Sequence, residues 1–505
     1  MLKNEKTKKY IEDILIFLAF WIIIFTIIVS KEINSLDEVW VFNTARNIAN
    51  GLMPYKDFNL VTTPGLPIIC GLILKLFGTE MFFMRLMASI LNSCIFFIIY
   101  KILKALGINK YISLMFVGLV LNLYKVFLYI DYNVIVLFIA LFSLLIELKK
   151  YNLEKEILKL NIKTDFLLGL LIGTTILMKQ TTGVFIIITF IGYKFLFIEN
   201  MDELKKFFKI AMVRMLAICV PIIIFIIYLI YNNIMSDFIN YAILGIKEFT
   251  NKSPYMKLVN SKYFLLAVLA PITFLILLIT SFEKKDKISL IIFAYAISTF
   301  IVVFPISDPP HFLLAATIDM IGLIYIINME YKDKIEKYIS KKIKIYITEF
   351  SKNTFYVFLI LLVITSCVKL SKLKLLQYNK LKNFKYIPVS TDLLNEINTV
   401  DNYILNSNKD VYILEARAPL YMIPINKYNK DYDMFLIGNL GLNATNRILK
   451  DLDSKNNTEI LLFKGNLNWQ TPVDIVKYIQ ENYNKVGEIG NFDIYSKQKI
   501  MQTTL

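Results

Sequence analysis

SLDEVWVFNTARNIANGLMPYKDFNLVTTPGLPIICGLILKLFGTEMFFMR, residues Ser35–Arg85, directly follows the first apolar run of the chain. An acidic pair, Asp37-Glu38, leads a segment in which Val41, Phe42, Ala45, Ile48, Ala49 and Leu52 recur at helical spacing, with Asn43, Arg46, Asn47 and Asn50 opposite them. The pattern predicts an amphipathic helix that starts at Ser35 and lies in the plane of a membrane interface. Gly51-Leu-Met-Pro-Tyr-Lys-Asp57 and a Pro64-Gly-Leu turn then lead into the apolar run Leu66–Phe77. At about twelve residues that run is too short to cross a bilayer and fits an interfacial or re-entrant segment. Carboxylates held at a membrane surface between two such helices mark this loop, residues 31–81, as the candidate active site.

The surrounding chain reads as membrane protein throughout. Of its 505 residues, 56% are hydrophobic, and the mean hydropathy is +0.56. Apolar runs long enough to span are expected at 11–30, 82–102, 111–128, 131–148, 164–179, 182–198, 210–232, 263–281, 287–305, 311–328 and 353–371, about eleven helices in all. The net charge of +16 does not indicate nucleic acid, because the lysines gather in alternate loops. Lys101, Lys104 and Lys110 share one loop; Lys149, Lys150, Lys155, Lys159 and Lys163 the next on that side. Lys205, Lys206 and Lys209, then Lys284, Lys285 and Lys287, continue the series. Loops such as Tyr129–Asn133 and Ser307–His311 carry almost none. This asymmetry predicts a multi-pass plasma-membrane protein with a cytoplasmic N-terminus and an external C-terminus. Cys70, Cys94, Cys219 and Cys367 lie in apolar segments without a CxxC pair, so neither a disulfide framework nor a thiolate metal site is indicated.

From about residue 372 the composition changes. Strand-like runs at Val411–Leu414, Met434–Ile437, Glu459–Phe463 and Phe492–Tyr495 alternate with helical stretches at Asp392–Leu405, Ala444–Leu452 and Val473–Asn482. The expected organisation is a transmembrane domain over 1–371 and a small extracytoplasmic α/β domain over 372–505. Asn251, Asn443 and Asn456 open N-x-[ST] triplets, which arise readily by chance in an Asn-rich chain.

Polar residues at the predicted outer ends of the spans supply the chemistry. Asp131 stands where the fourth span begins, and Asp37, Asp57 and Asp131 are all predicted on one membrane face, where carboxylates serve as general bases or hold a divalent cation. The same residues at helix N-termini also serve simply as caps. Lys179-Gln180-Thr-Thr-Gly183 forms the outer turn between spans five and six, and Arg85 begins the second span. Each is suited to pairing with a phosphate, or to anchoring its helix by snorkelling. His311, the sole histidine, follows Asp308-Pro309-Pro310. Asp319 lies about two turns inside span ten, where an ionisable side chain is a functional hypothesis by default.

The order of helix, Asp-Glu pair, amphipathic helix, G-x-x-P-Y-x-D, proline turn, "KLFG" and Arg85 resembles the GT-C superfamily of membrane glycosyltransferases. Within it, the chain is similar to bacterial protein O-mannosyltransferases and aminoarabinose transferases (family 39-like). The resemblance covers the membrane half in layout, with its specific motifs in residues 35–85 and support from Asp131, Lys179-Gln180 and His311. It implies an enzyme that inverts the anomeric centre of a sugar taken from a polyprenyl-phosphate donor and delivers it to a glycan, lipid or protein of the cell envelope. Asp37 would be the general base, with Glu38 completing the acidic pair. Asp131 would bind acceptor, or together with Asp37 a Mg or Mn ion. Lys179, Arg85 and His311 would hold the donor phosphate, and Tyr55, Asp57 and Gln180 would line the substrate site.

One departure bears on the metal. Where the aminoarabinose transferases have an acidic residue and a lysine before paired prolines, this chain has Thr62-Thr63-Pro64-Gly65. Two other classes fit parts of the sequence: a transporter or flippase of lipid-linked sugars using Asp319, and an envelope polysaccharide polymerase or ligase, although the large Arg- and His-rich outer loop expected of the latter is absent. The loop Asn233–Lys262, with Lys247, Lys252, Pro254 and Tyr255, is long enough to act as a gate.

Overall fold

The computed structural model describes residues 2–33, 36–248, 254–304, 306–338, 349, 353, 356–357, 359–368, 381–429, 432–455, 457–465 and 471–497. Ser35, Asn251, Lys252, Asn456 and most of 339–358 lie outside the described residues. The chain divides into two compact units, but not at residue 371. The first comprises 1–30, 85–226 and 252–374; the second comprises 31–84, 227–251 and 375–505. The first outer loop therefore groups with the C-terminal region.

The first unit is a helical bundle. Seven helices are long and apolar enough to cross a membrane: Thr7–Val29 within α1 (Leu2–Val29), α4 (Met81–Ala105), α6 (Tyr132–Glu154), α8 (Gln180–Gly192) with its 3-10 extension to Phe197, α9 (Met201–Tyr231), α12 (Phe264–Glu283), and Pro309–Tyr331 within α14 (Pro309–Tyr338). α5 (Lys110–Tyr124), α7 (Ile162–Met178), α13 (Lys287–Phe300) and α15 (Leu359–Val368) are shorter. The protein is thus a multi-pass membrane protein in which seven of the eleven expected spans meet the length on their own. The expected span 111–128 ends early because the chain turns at Lys125 and Val126 before Asp131 caps the next helix.

Lysines expected in a solvated loop behave differently at one end of α6 and α7. Lys150 is buried and donates to Asp165 Oδ2 at 2.7 Å. Arg214 of α9 bonds both Glu147 and Asp165 at 2.8 Å, and Lys194 lies 2.8 Å from Glu147. Tyr193 donates its hydroxyl to Glu147 at 2.7 Å. Three cations thus share two carboxylates inside the bundle, and this pairing makes their burial tolerable.

The second unit holds α2 (Leu36–Ala49) packed on α3 (Gly65–Phe77). They approach so closely that a Cβ on Gly71 would lie 2.8 Å from Ile48 Cγ2. α10 (Met235–Phe238) continues through a π-helical turn to Leu244 and a 3-10 turn to Glu248. The first part of the expected gate is therefore helical, and Asn240 Oδ1 accepts from the Leu442 amide at 3.0 Å. α11 (Met256–Val259), from the later part of that loop, belongs to the first unit.

A four-stranded sheet in the order β1-β2-β4-β3 completes the second unit. β1 (Asp410–Leu414) runs parallel to β2 (Thr458–Phe463), β4 (Phe492–Ser496) antiparallel to β2, and β3 (Asn484–Ile489) antiparallel to β4. α16 (Thr391–Asn406), α17 (Pro419–Met422), α18 (Ala444–Ser454) and α19 (Val473–Asn482) accompany it. Leu414, Phe435, Ile448, Ile460, Leu462, Ile475 and Ile479 form its core. The strand expected at Met434–Ile437 is instead a series of turns, closed by Leu436 N donating to Met434 O at 2.6 Å, and its apolar side chains serve the core without a ladder. β3 escaped the sequence reading because an edge strand of Asn, Lys, Val, Gly, Glu and Ile carries little apolar alternation.

Candidate functional site

In the first unit the polar site grows from three helix ends. Asp131 caps α6, its Oδ1 accepting from the Val134 amide at 2.8 Å. The capping role and burial coexist, since Asp131 is 6% exposed. Lys179 separates α7 from α8 in an extended conformation. The turn is so tight that a Cβ on Gly183 would lie 2.4 Å from Ile176 Cα, a separation only glycine permits. The Lys179 ammonium donates to Asn133 Oδ1 at 2.8 Å and sits 5.1 Å from the centre of the Tyr132 ring. Gln180 follows as a buried first residue of α8. Asp308 caps α14: its Oδ1 accepts from the His311 amide at 3.0 Å and lies 2.6 Å from His311 Nδ1.

These groups influence one another electrostatically. The charges of His311 and Lys179 both act on Asp131, and Asp131 and Asp308 both act on Lys179. The structure thus joins Asp131, Lys179 and His311, and adds Asn133, Tyr132 and Asp308 as the side chains that hold them. Arg85, in the first turns of α4, is 1% exposed, so its guanidinium is buried rather than snorkelling to the surface. A buried carboxylate among an ammonium, an imidazole and amide groups suits an anionic ligand carrying hydroxyls more than a bare cation. Among the described residues no three His, Cys, Asp or Glu side chains stand together as a metal group. This donor set does not fit a divalent ion on Asp131.

Asp37, Glu38, Tyr55 and Asp57 belong to the second unit. Asp37 and Glu38 occupy the first turn of α2, where a carboxylate is stabilised by the helix dipole, and both are partly exposed. Tyr55 adopts φ +70°, unusual for an aromatic residue. Its hydroxyl donates to Thr62 O at 2.6 Å and its ring meets Phe238 edge-on. Asp57 closes the same turn by accepting from the Met53 amide at 2.8 Å. Gly51-to-Asp57 is thus a rigid turn built by its own side chains.

The polar side of α2 does not face water. Asn43, Arg46 and Asn47 are 3%, 0% and 0% exposed. Asn43 and Asn47 donate to Asp433 Oδ2 at 2.9 and 3.5 Å, Arg46 to the carbonyls of Lys427 and Ile423 at 3.1 and 3.4 Å, and Trp40 to Ala416 O at 2.7 Å. Burial pushes the Asp433 carboxyl up from its ordinary range, opposed by Asn43 and the Arg46 charge. Amphipathicity located this helix, but its polar partners lie nearly 400 residues away in sequence, where no local signal reveals them.

No protein-family model matches the chain, and no curated protein matches it. Among solved structures it is similar to ArnT from Cupriavidus metallidurans in the apo state, at 11% identity and a TM-score of 0.56, covering 97% of this chain and 98% of that one. The same enzyme bound to undecaprenyl phosphate gives a TM-score of 0.55 at 11% identity, with the same coverage. The oligosaccharyltransferase from Archaeoglobus fulgidus is similar at 10% identity and a TM-score of 0.49, over 89% of this chain and 69% of that one. The chain therefore shares the fold of the ArnT structures over nearly its whole length.

Proposed function

We propose that the protein is an inverting glycosyltransferase that moves a sugar from a polyprenyl-phosphate donor to a hydroxyl-bearing acceptor of the cell envelope, outside the cytoplasm. The observation that carries the reading is the Asp131–Lys179–His311 group, set at helix ends in a fold shared with ArnT, which has been seen bound to undecaprenyl phosphate. Lys179 and His311, with Arg85, match the negative charge of the donor phosphate as it leaves. Asp37 takes the proton of the acceptor hydroxyl, with Glu38 beside it in sequence. The hydroxyl oxygen attacks the anomeric carbon, the bond from that carbon to the phosphate oxygen breaks, and polyprenyl phosphate departs with the electron pair. A single displacement inverts the centre. Asp131 orients the acceptor, and Tyr55, Asp57 and Gln180 shape the substrate site. The lysine asymmetry of the loops supports an N-terminus in the cytoplasm and a C-terminal region outside it.

A second reading, transport of a lipid-linked sugar, draws on Asp319, which is 3% exposed and whose Oδ1 has no hydrogen-bond partner among the described residues. Proteoliposomes separate the two. Transfer of radiolabelled sugar from polyprenyl-phosphate donors is expected, with Asp37→Asn reducing it by roughly 10²–10⁴-fold. Undiminished transfer by Asp37→Asn would remove the base assignment; lipid translocation without transfer would favour the transporter. Loss of transfer in EDTA, restored by Mg or Mn, would add a divalent ion near Asp37 to this reading.

A further inference from the structure

The residues that fix α2 come from the far end of the chain, and they bind the helix that Asp37 begins. At about 100° per residue, Trp40, Asn43, Arg46 and Asn47 fall within about 120° of one helix side, with Trp40 nearest to Asp37 and about 60° round from it. An interfacial helix held only by apolar contacts is free to roll about its axis. This one is prevented from rolling by directional bonds: one carboxylate accepting from two amides a turn apart, and a guanidinium inserted among the carbonyls of Ile423 and Lys427 with the Tyr428 ring 5.3 Å away. Asn383 donates to the same Ile423 carbonyl at 3.0 Å, tying the start of the C-terminal region into the network. On the other side of the helix, Gly71 lets α3 press against Ile48.

From this arrangement we infer that Asp433 and Arg46 are positioning residues for Asp37, and that the C-terminal region is a working part of the transfer machinery through its hold on α2. The inference rests on the proposed role of Asp37. Its physical basis is the steep dependence of transfer on geometry, since a displacement of about 1 Å at a reacting group costs about 10²-fold. Asp433 lies immediately before the strand expected at Met434–Ile437, and the turns found there instead accompany the reach of its carboxylate to the two amides. Leucine at this position removes the acceptor, whereas asparagine retains one carbonyl oxygen able to take both bonds.

The test uses the full chain in lipid nanodiscs and reads backbone amide exchange beside steady-state transfer. Asp433→Leu is expected to speed exchange across α2 by about 10-fold or more, with the amides of α6 and of β2 unchanged. It is expected to lower kcat by roughly 10²-fold while the donor KM stays within about twofold. Asp433→Asn should restore most of both, and Arg46→Met should follow Asp433→Leu. Unchanged α2 exchange and kcat in Asp433→Leu would overturn the inference. So would loss of protection throughout the sheet, because the carboxylate would then be supporting the whole unit. If Asp37→Asn transfers normally while Asp433→Leu still loosens α2, the base assignment fails and the helix clamp stands.

Discussion

α6 and α7 carry charged groups at both ends, and the two ends are built on opposite terms. At one end Glu147 and Asp165 share Arg214, Lys150 and Lys194, with Tyr193 and the Asn161 amide filling remaining acceptor positions. At the other, about 24 Å away along α6 by helical rise, Asp131 caps its helix and Lys179 reaches one amide oxygen and one ring face. In the first cluster both carboxylates are already bonded by the protein's own cations. In the second, the Lys179 ammonium bonds an amide oxygen rather than a carboxylate, with Asp131 and Asp308 acting on it from further off, which is the condition for binding an external anion. Charge alone does not mark a site; the balance between charge and internal partners does.

The largest expected effect breaks the saturated end. Arg214→Met removes the guanidinium that joins both carboxylates and is expected to cost about 3–5 kcal/mol of stability. In detergent this should appear as a sharply lowered melting temperature or as failure to accumulate folded protein. Lys179→Met should do the reverse. Transfer is expected to fall by roughly 10²–10³-fold, as for loss of one preorganised charge donor, while melting changes little because the ammonium has few internal partners. If both substitutions acted mainly on melting, the distinction between the two ends would fail.

Gly183→Ala sharpens the same contrast from the backbone. The added methyl would meet Ile176 Cα, so the α7–α8 turn must open and Lys179 must move. A destabilisation of about 1–3 kcal/mol is expected, together with a loss of transfer larger than that stability change predicts. Transfer equal to the wild type at full folding would show that the position of Lys179 is not critical.

Much of this was legible before any coordinates. The helices, the loop at 35–85 and the polar ends of spans follow from periodicity and charge, and Asp131, Lys179 and His311 were each visible as polar residues beside apolar runs. What the sequence could not show is pairing across long separations. Lys150 reads as one more loop lysine, yet burial against Asp165 makes it part of a structural cluster. Asn43, Arg46 and Asn47 read as a wet helix face, yet Asp433 and two carbonyls replace the water. In both cases the local pattern was correct and the partner of the polar side was tertiary.

Asp401 tests the contrast from a third direction, because a lack of partners does not suffice to make a site. It lies in α16, is 6% exposed, and its Oδ1 has no hydrogen-bond partner. Burial pushes its carboxyl up to about 8. Among the described residues no cation acts on it, in contrast to Asp131, on which both Lys179 and His311 act. A carboxyl whose folded value is raised binds its proton more tightly in the native state than in the unfolded one. Its contribution to stability is therefore complete below the unfolded value near 3.8 and is lost as pH rises towards about 8. Asp401→Asn keeps the shape and removes the ionisation, so melting at pH 8 should rise by an amount on the order of 1 kcal/mol, and the pH dependence between 4 and 8 should flatten. Transfer should not change. A fall in transfer without a fall in melting would mean that Asp401 has a ligand of its own, and that partner shortage marks function even without a neighbouring cation.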